Sequence, residues 1–346
     1  MPLFTTVTLF FCVFWAVVGP LISTKVEKRL EYFLFALGII AVTVSWSWSE
    51  AVVLEALLRP LKICGALLVG SLLFSFTHNS LQATLERTIA RVGLKPSVFI
   101  AVTMAGISAA FITTAIAVLA LIELIYAMKL ERESEIRIGI VGCFAIGLGG
   151  GLTPIGGAIP AITLAKLASA SYQPGGLYLF ELLGPWVVPA LLSAGIIGGY
   201  FAKPAEKERT HEEDPLTLWS MLVLAGRMYV FIAGLILLGN GVLPFVDRFI
   251  LTTPAPILYW LNSISAAIDG ATLVSIEINP QMSQNQLRHI LMGVLIAGGA
   301  LVTGNAPNLV AAHKLKIGMK EWALLGTPIA AFLMLFYFIS LGVYAG

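Results

Sequence analysis

Gly149–Pro160 reads GGGLTPIGGAIP, and Ala297–Asn308 reads AGGALVTGNAPN. Set in register, Gly150 meets Gly298, Gly151 meets Gly299, Gly156 meets Gly304 and Ala158 meets Ala306. Both stretches interrupt segments apolar and long enough to cross a bilayer. In lipid an unsatisfied peptide group costs several kcal/mol, so such interruptions survive at membrane depth only where they line a protein-enclosed cavity. Paired interruptions in two halves of a chain point to a secondary transporter's binding site.

The rest of the composition fits that setting. The chain has 346 residues, 58% of them hydrophobic and 12% charged, with a mean hydropathy of +0.92. Soluble domains carry about 25% charged residues. Uncharged runs at Leu3–Ile22, Tyr32–Trp48, Leu182–Ala202 and Trp322–Gly346 reach or approach the ~20 residues a spanning helix needs. The first run is longer than a signal-peptide core and lacks a basic leader, so it reads as a retained helix. Cys12, Cys64 and Cys143 stand singly in apolar runs, with neither metal spacing nor a disulfide framework. A net charge of +2 gives no reason to expect nucleic acid.

Charge sets the sides. Segments 23–30, 78–95, 128–137, 203–215 and 313–320 hold 15 of the 21 Lys and Arg, whereas 49–60, 169–176, 240–256 and 280–288 hold only Arg59, Arg248 and Arg288. By the positive-inside rule the first set is cytoplasmic. The apolar stretch 96–128 then enters and leaves on one side, as a re-entrant hairpin or a pair of short spans. Stretch 253–279 does the same from outside. Both carry ISAA near the middle, at Ile107–Ala110 and Ile264–Ala267.

The expected architecture is an all-α polytopic membrane protein with about eight transmembrane helices plus two re-entrant helical hairpins. Residues 1–50 form two N-terminal spans, serving as scaffold or homodimer contacts. Repeat one, 60–202, holds a span near Leu61–Phe76, a surface helix Ser80–Val92, hairpin 96–128, broken span 138–168 and span 177–202. After a cytoplasmic linker, 203–215, repeat two, 216–346, holds span 216–238, a short segment 241–252, hairpin 253–279, broken span 286–312 and span 322–345. Each half crosses three times, so the second is inverted, a common build for secondary carriers. The predicted setting is the cytoplasmic (inner) membrane, with both termini outside.

Asp269 is the sharpest chemical candidate. A charge deep in an apolar hairpin costs at least a few kcal/mol. Burial raises a carboxylate's pKa and a bound cation lowers it, so one Asp can trade a proton for Na⁺ or Li⁺. A structural ion pair with Arg227 or Lys166 is the alternative. Thr113, Thr114, Ser108, Ser265, Thr153, Thr303, Asn305 and Asn308, with the main chain at Gly156, Gly157 and Gly304, can supply oxygens to a dehydrated alkali cation. The hydroxyls and amides can equally act as interhelical glue. Glu123 and Glu277 are proton-relay candidates or interface residues. Glu181 and Lys166 can pair or gate the cavity. His313, at the end of the second broken span, is a pH sensor or a solvated interface residue.

Other classes lack their motifs. GLGGGLTPIGG has no Walker lysine, and neither HExxH nor GxSxG occurs. No cofactor and no enzyme activity are expected; the predicted partners are a small cation, protons and the bilayer. A carrier of carboxylates or oxyanions is the competing reading, with helix N-termini and Arg227 or Lys166 holding the anion.

The sequence also resembles the ion transporter superfamily. In its NhaD-type sodium/proton antiporters the first break reads approximately GGxxTPIGD, matched here by Gly149–Gly156 (GGGLTPIG), and the hairpins read approximately SAxxDN, matched in part by Ser265–Asp269. The likeness covers roughly residues 60–346 and is nearest to a cation transporter family related to the NhaD-type proteins. It implies an elevator-like or rocking carrier with cation sites where hairpin tips meet broken helices. Three positions depart from the pattern. Ile112-Thr113 stands in place of an acidic–amide pair, Gly270 in place of an amide and Gly157 in place of an acid.

Overall fold

The computed structural model describes residues 3–167, 175–205, 218–250, 254–263, 270–278 and 280–344. All regular elements among them are helices: α1 (Leu3–Ile22), α2 (Thr24–Glu27), α3 (Leu30–Val44), α4 (Glu50–Val92), α5 (Leu94–Ser108), α6 (Thr114–Ala127), α7 (Arg132–Gly150), α8 (Ala158–Leu167), α9 (Tyr178–Phe201), α10 (Leu218–Ile250), α11 (Ala255–Leu261), α12 (Gly270–Glu277), α13 (Gln284–Ala297), α14 (Ala306–Lys314) and α15 (Met319–Tyr344). Among the described residues three helices are long and apolar enough to cross a membrane: Tyr178–Phe201, Ala225–Pro244 and Met319–Gly342. Several shorter ones, Phe4–Pro20 and Leu30–Val44 among them, are apolar too. The chain is a helical protein of membrane type.

Local chemistry sets several boundaries. The Ser49 hydroxyl accepts from Val52 N at 3.2 Å and starts α4. Gly93, at φ +87°, ends α4 and opens α5, a backbone state that glycine adopts without a Cβ penalty. Ser283 and Gln286 close a reciprocal capping box at the start of α13, satisfying two orphan amides at once.

Two predicted divisions are absent. The span near Leu61–Phe76 and the surface helix Ser80–Val92 form one 43-residue helix, α4, which also absorbs the expected outer segment 49–60. The described parts of span 216–238 and segment 241–252, residues 218–250, likewise merge into the 33-residue α10. The polar stretch Thr77–Ser80 contains no Gly or Pro, so nothing in the backbone stops the helix there. Pro60 and Pro244 sit inside these helices and are tolerated.

Packing pairs the elements consistently. α5 packs on α7 and α9, and α11 on α13 and α15; α4 packs on α6, and α10 on α12. Across the chain, α6 lies against α14 while α12 lies against α8, and α4 meets α10 as α7 meets α13. Exchanging the two sets of helices maps these pairs onto one another, whereas α4 on α5, α5 on α6 and α7 on α14 have no counterpart of that strength among the described residues. Outside this pattern, α3 presses closely on α10, where a Cβ on Gly38 or Gly234 would meet the partner's backbone. Small residues let membrane helices approach in this way.

The basic segments gather at one end of the bundle. Glu131 N donates to Lys203 O at 3.0 Å, Arg132 to Lys316 O at 2.9 Å, and Met319 N to Glu27 Oε1 at 2.6 Å. Gly199 lies against the carbonyl of Lys95. At the other end Asn240 donates to Glu55 at 3.4 Å, and Arg288 Nε to Leu182 O at 3.2 Å.

Candidate functional site

The first break runs from the end of α7 at Gly150 to the start of α8 at Ala158. The chain folds back so tightly that Gly156 rests on the carbonyl of Gly150. A side chain at Gly156 would displace the backbone of Gly150, and one at Gly150 would run into the methyl group of Thr114, which explains the glycines. The tip of the α5–α6 hairpin closes on this break. Thr114 N donates to Gly156 O at 3.1 Å, the Thr153 hydroxyl donates to Ala110 O, and Gly149 abuts the carbonyl of Gly106. Thr113 caps α6, its hydroxyl accepting from Ile116 N at 3.4 Å. Ser108 spends its hydroxyl on Ala105 O of its own helix, at 3.0 Å. Gly157 is half-buried with open space where a Cβ would stand.

The second break repeats the turn. α13 ends at Ala297, a 3-10 turn spans Val302–Gly304, and α14 starts at Ala306. Gly304 rests on the carbonyl of Gly298, as Gly156 rests on Gly150. A helix end leaves carbonyls without partners, and here side chains collect them. Asn308 Nδ2 donates to Gly298 O at 2.8 Å and Leu301 O at 2.9 Å. Trp322 Nε1 donates to Gly299 O at 3.2 Å. Asn308 is fully buried, and its Oδ1 has no hydrogen-bond partner. Thr303 is buried as well.

The two breaks lie together. Gly151 abuts Leu295, Gly299 abuts Phe144, and the Asn305 amide stands 3.2 Å from where a Gly147 Cβ would be. Asn305 begins α14 with no side-chain cap hydrogen bond, so its amide is spent on no cap. The crossing therefore presents hydroxyls, amides and main-chain carbonyls. Among the described residues no group of three or more His, Cys, Asp or Glu could hold a metal ion. The donor set present is of the type that suits an alkali cation.

The charged candidates fall in several places. Asp269 and Ser265 lie outside the described residues. Arg227 pairs with Glu31 at 3.7 Å, beside the start of α3. Lys166 and Glu181 are exposed and do not form the ion pair that the sequence left open. Glu123 is half-buried on α6, and His313 is exposed in the last turn of α14. Glu277 is 2% exposed, which removes the solvated-interface reading, and it accepts from Asn262 Nδ2 at 3.0 Å.

Sequence reasoning missed two residues. Gly147 is one of several glycines in α7, and nothing in the sequence marks it as the neighbour of Asn305. Asn262 was legible in principle, as an amide inside the apolar stretch 253–279 that also holds Glu277.

A family model described as a protein of unknown function (DUF1646) matches residues 6–344. No curated protein matches the chain. With nearly its whole length matched, the chain belongs to the DUF1646 family of proteins of unknown function.

Proposed function

We propose that this protein is a secondary carrier moving a small monovalent cation, Na⁺ or Li⁺, across the cytoplasmic membrane in exchange for protons. The observation that carries the proposal is the crossing of two breaks that fold back alike, Gly156 on Gly150 and Gly304 on Gly298. Irregular backbone at membrane depth belongs around a cavity, and two such breaks at a repeat interface suit a midplane ion site.

In this reading the chain consists of two inverted repeats. α4–α9 correspond in order to α10–α15, and this reading is supported by the packing pairs that survive their exchange, α5 on α7 and α11 on α13 among them. Eight spans result: α1, α3, α4, α7 with α8, α9, α10, α13 with α14, and α15, with α5–α6 and α11–α12 as the re-entrant hairpins. The end carrying the basic segments faces the cytoplasm, and both termini face outward. The tight seat of α3 on α10 suits a scaffold.

The cation is held by Asn305, Asn308 and the carbonyls of the second break, with Asp269 as the exchanging acid; Thr113, Thr114 and Thr153 form the pseudo-symmetric half. Gly270, next after Asp269 in sequence, is buried and opens α12, which packs on α8 and α10. The chain thereby resembles NhaD-type antiporters in arrangement, with different residues at three of their motif positions.

A carrier of small carboxylates or oxyanions is the second reading, favoured by the N-terminus of α14, which no side chain caps. Arg227 gives it less support, being paired with Glu31. Replacing Asp269 with Asn tests the first reading: cation-driven proton movement should vanish while folded protein stays in the membrane. Wild-type activity in that variant would remove the carboxylate from the mechanism. Saturable uptake of a labelled carboxylate or oxyanion under a sodium gradient would favour the second reading.

A further inference from the structure

Away from the crossing lies a buried polar pair that the proposed cation site does not use. Glu277, the last residue of α12, is 2% exposed, and Asn262, just past α11, is fully buried. The amide nitrogen of Asn262 donates to Glu277 Oε2 at 3.0 Å and approaches Ile290 O of α13 at 3.4 Å. One side chain thus ties α11, α12 and α13 together. The amide oxygen, Oδ1, is buried and has no partner.

An ionised carboxylate accepts hydrogen bonds only, offers about four acceptor sites, and is costly to bury without a cation. Glu277 accepts from one neutral donor, Asn262, and among the described residues it forms no ion pair with Lys, Arg or His. The charged and titratable groups on the surrounding elements are engaged or exposed. On α13, His289 bonds Asn285 O at 2.8 Å and Arg288 bonds Leu182 O. On α11, Tyr259 donates to Met334 O at 2.8 Å. On α8 Lys166 is exposed, and on α10 Arg227 pairs with Glu31.

We infer that Glu277 is a proton-binding site, closed by Asn262 in a two-bond acid–amide ring. Protonated Glu277 supplies the donor that Asn262 Oδ1 lacks: its O–H donates to Oδ1 while Nδ2 donates to the other carboxyl oxygen. The second amide hydrogen is left for Ile290 O. Every polar atom of the pair is then satisfied, as buried groups require. Losing the proton leaves Oδ1 again without a donor and puts an uncompensated carboxylate beside it, which loosens the tie between the second hairpin and α13. The inference stands on this pair's geometry, whatever the carrier moves.

Infrared titration of the purified full-length protein tests it. A protonated-carboxyl carbonyl band should be present at neutral pH in the wild type. It should be lost in Glu277→Gln, and should move to higher frequency in Asn262→Ala, which keeps the acid and removes the ring. No such band in the wild type, a band whose intensity Glu277→Gln leaves unchanged, or a Glu277-dependent band unmoved by Asn262→Ala would each overturn the site. Should Glu277→Gln fail to fold, the wild-type and Asn262→Ala spectra decide. A protein that shows the band but moves no cation would contradict the carrier reading and leave this one standing.

Discussion

The side-chain amide of Asn305 reaches out of the second break to the main chain of Gly147, on α7 of the first half. A Cβ at Gly147 would stand 3.2 Å from Asn305 Nδ2, close enough to move the amide but not to collide with backbone. Gly147→Ala should therefore separate function from folding. Alanine favours a helix interior over glycine by about 1 kcal/mol, so thermal stability should hold or rise. The half-saturating cation concentration should rise on the order of tenfold, equivalent to ~1.4 kcal/mol. Unchanged ion dependence would place Asn305 outside the site.

Asn308 holds two carbonyls of the broken helix, Gly298 O and Leu301 O. Asn308→Ala leaves both buried acceptors without that donor. Each such loss costs ~1–3 kcal/mol, so destabilisation of about 2–4 kcal/mol is expected, read as a lower unfolding temperature in detergent. Stability equal to wild type would mean water replaces the amide, and the break is wetter than drawn.

Two glycines of the first break should respond oppositely to one methyl group. At Gly149 it would land on the carbonyl of Gly106, whereas at Gly157 it meets open space. Gly149→Ala should cost more than the 1–3 kcal/mol usual for overpacking, since backbone must move, and should lower the yield of folded protein. Gly157→Ala should fold as wild type. Equal behaviour would contradict the hairpin-to-break contact.

Single cysteines test the sidedness. Native Cys12, Cys64 and Cys143 are buried, so labelling background is low. Cysteines at the exposed Lys203 and Lys316 should react with an impermeant reagent only from the cytoplasmic face. A cysteine at exposed Glu181 should react only from outside. Labelling of Lys203 and Glu181 positions from one side would break the proposed topology.

Spacing carried much of this. Glycine recurs at Gly156 and Gly304 because each rests on the backbone of the helix end before it, Gly150 and Gly298, and that need is written into the sequence whatever surrounds it. The bounds of α1 match the uncharged run Leu3–Ile22 for a similar local reason. The continuity of α4 was not legible from hydropathy, which reports polarity and is silent on whether a helix continues through Thr77–Ser80. The partner of Glu277 was hidden as well. Asn262 reaches it through the placement of α11, α12 and α13, and no local rule sets that placement.

The central claim is that the crossed breaks bind a cation whose movement is coupled to protons. The most direct test is the pH gradient in everted vesicles or proteoliposomes containing the wild-type protein, followed as Na⁺, Li⁺ or K⁺ is added. The account predicts saturable collapse of the gradient with at least one of these ions, weakened by Asn305→Ala and abolished by Asp269→Asn. Folded, correctly inserted protein whose gradient is indifferent to all three ions would contradict it.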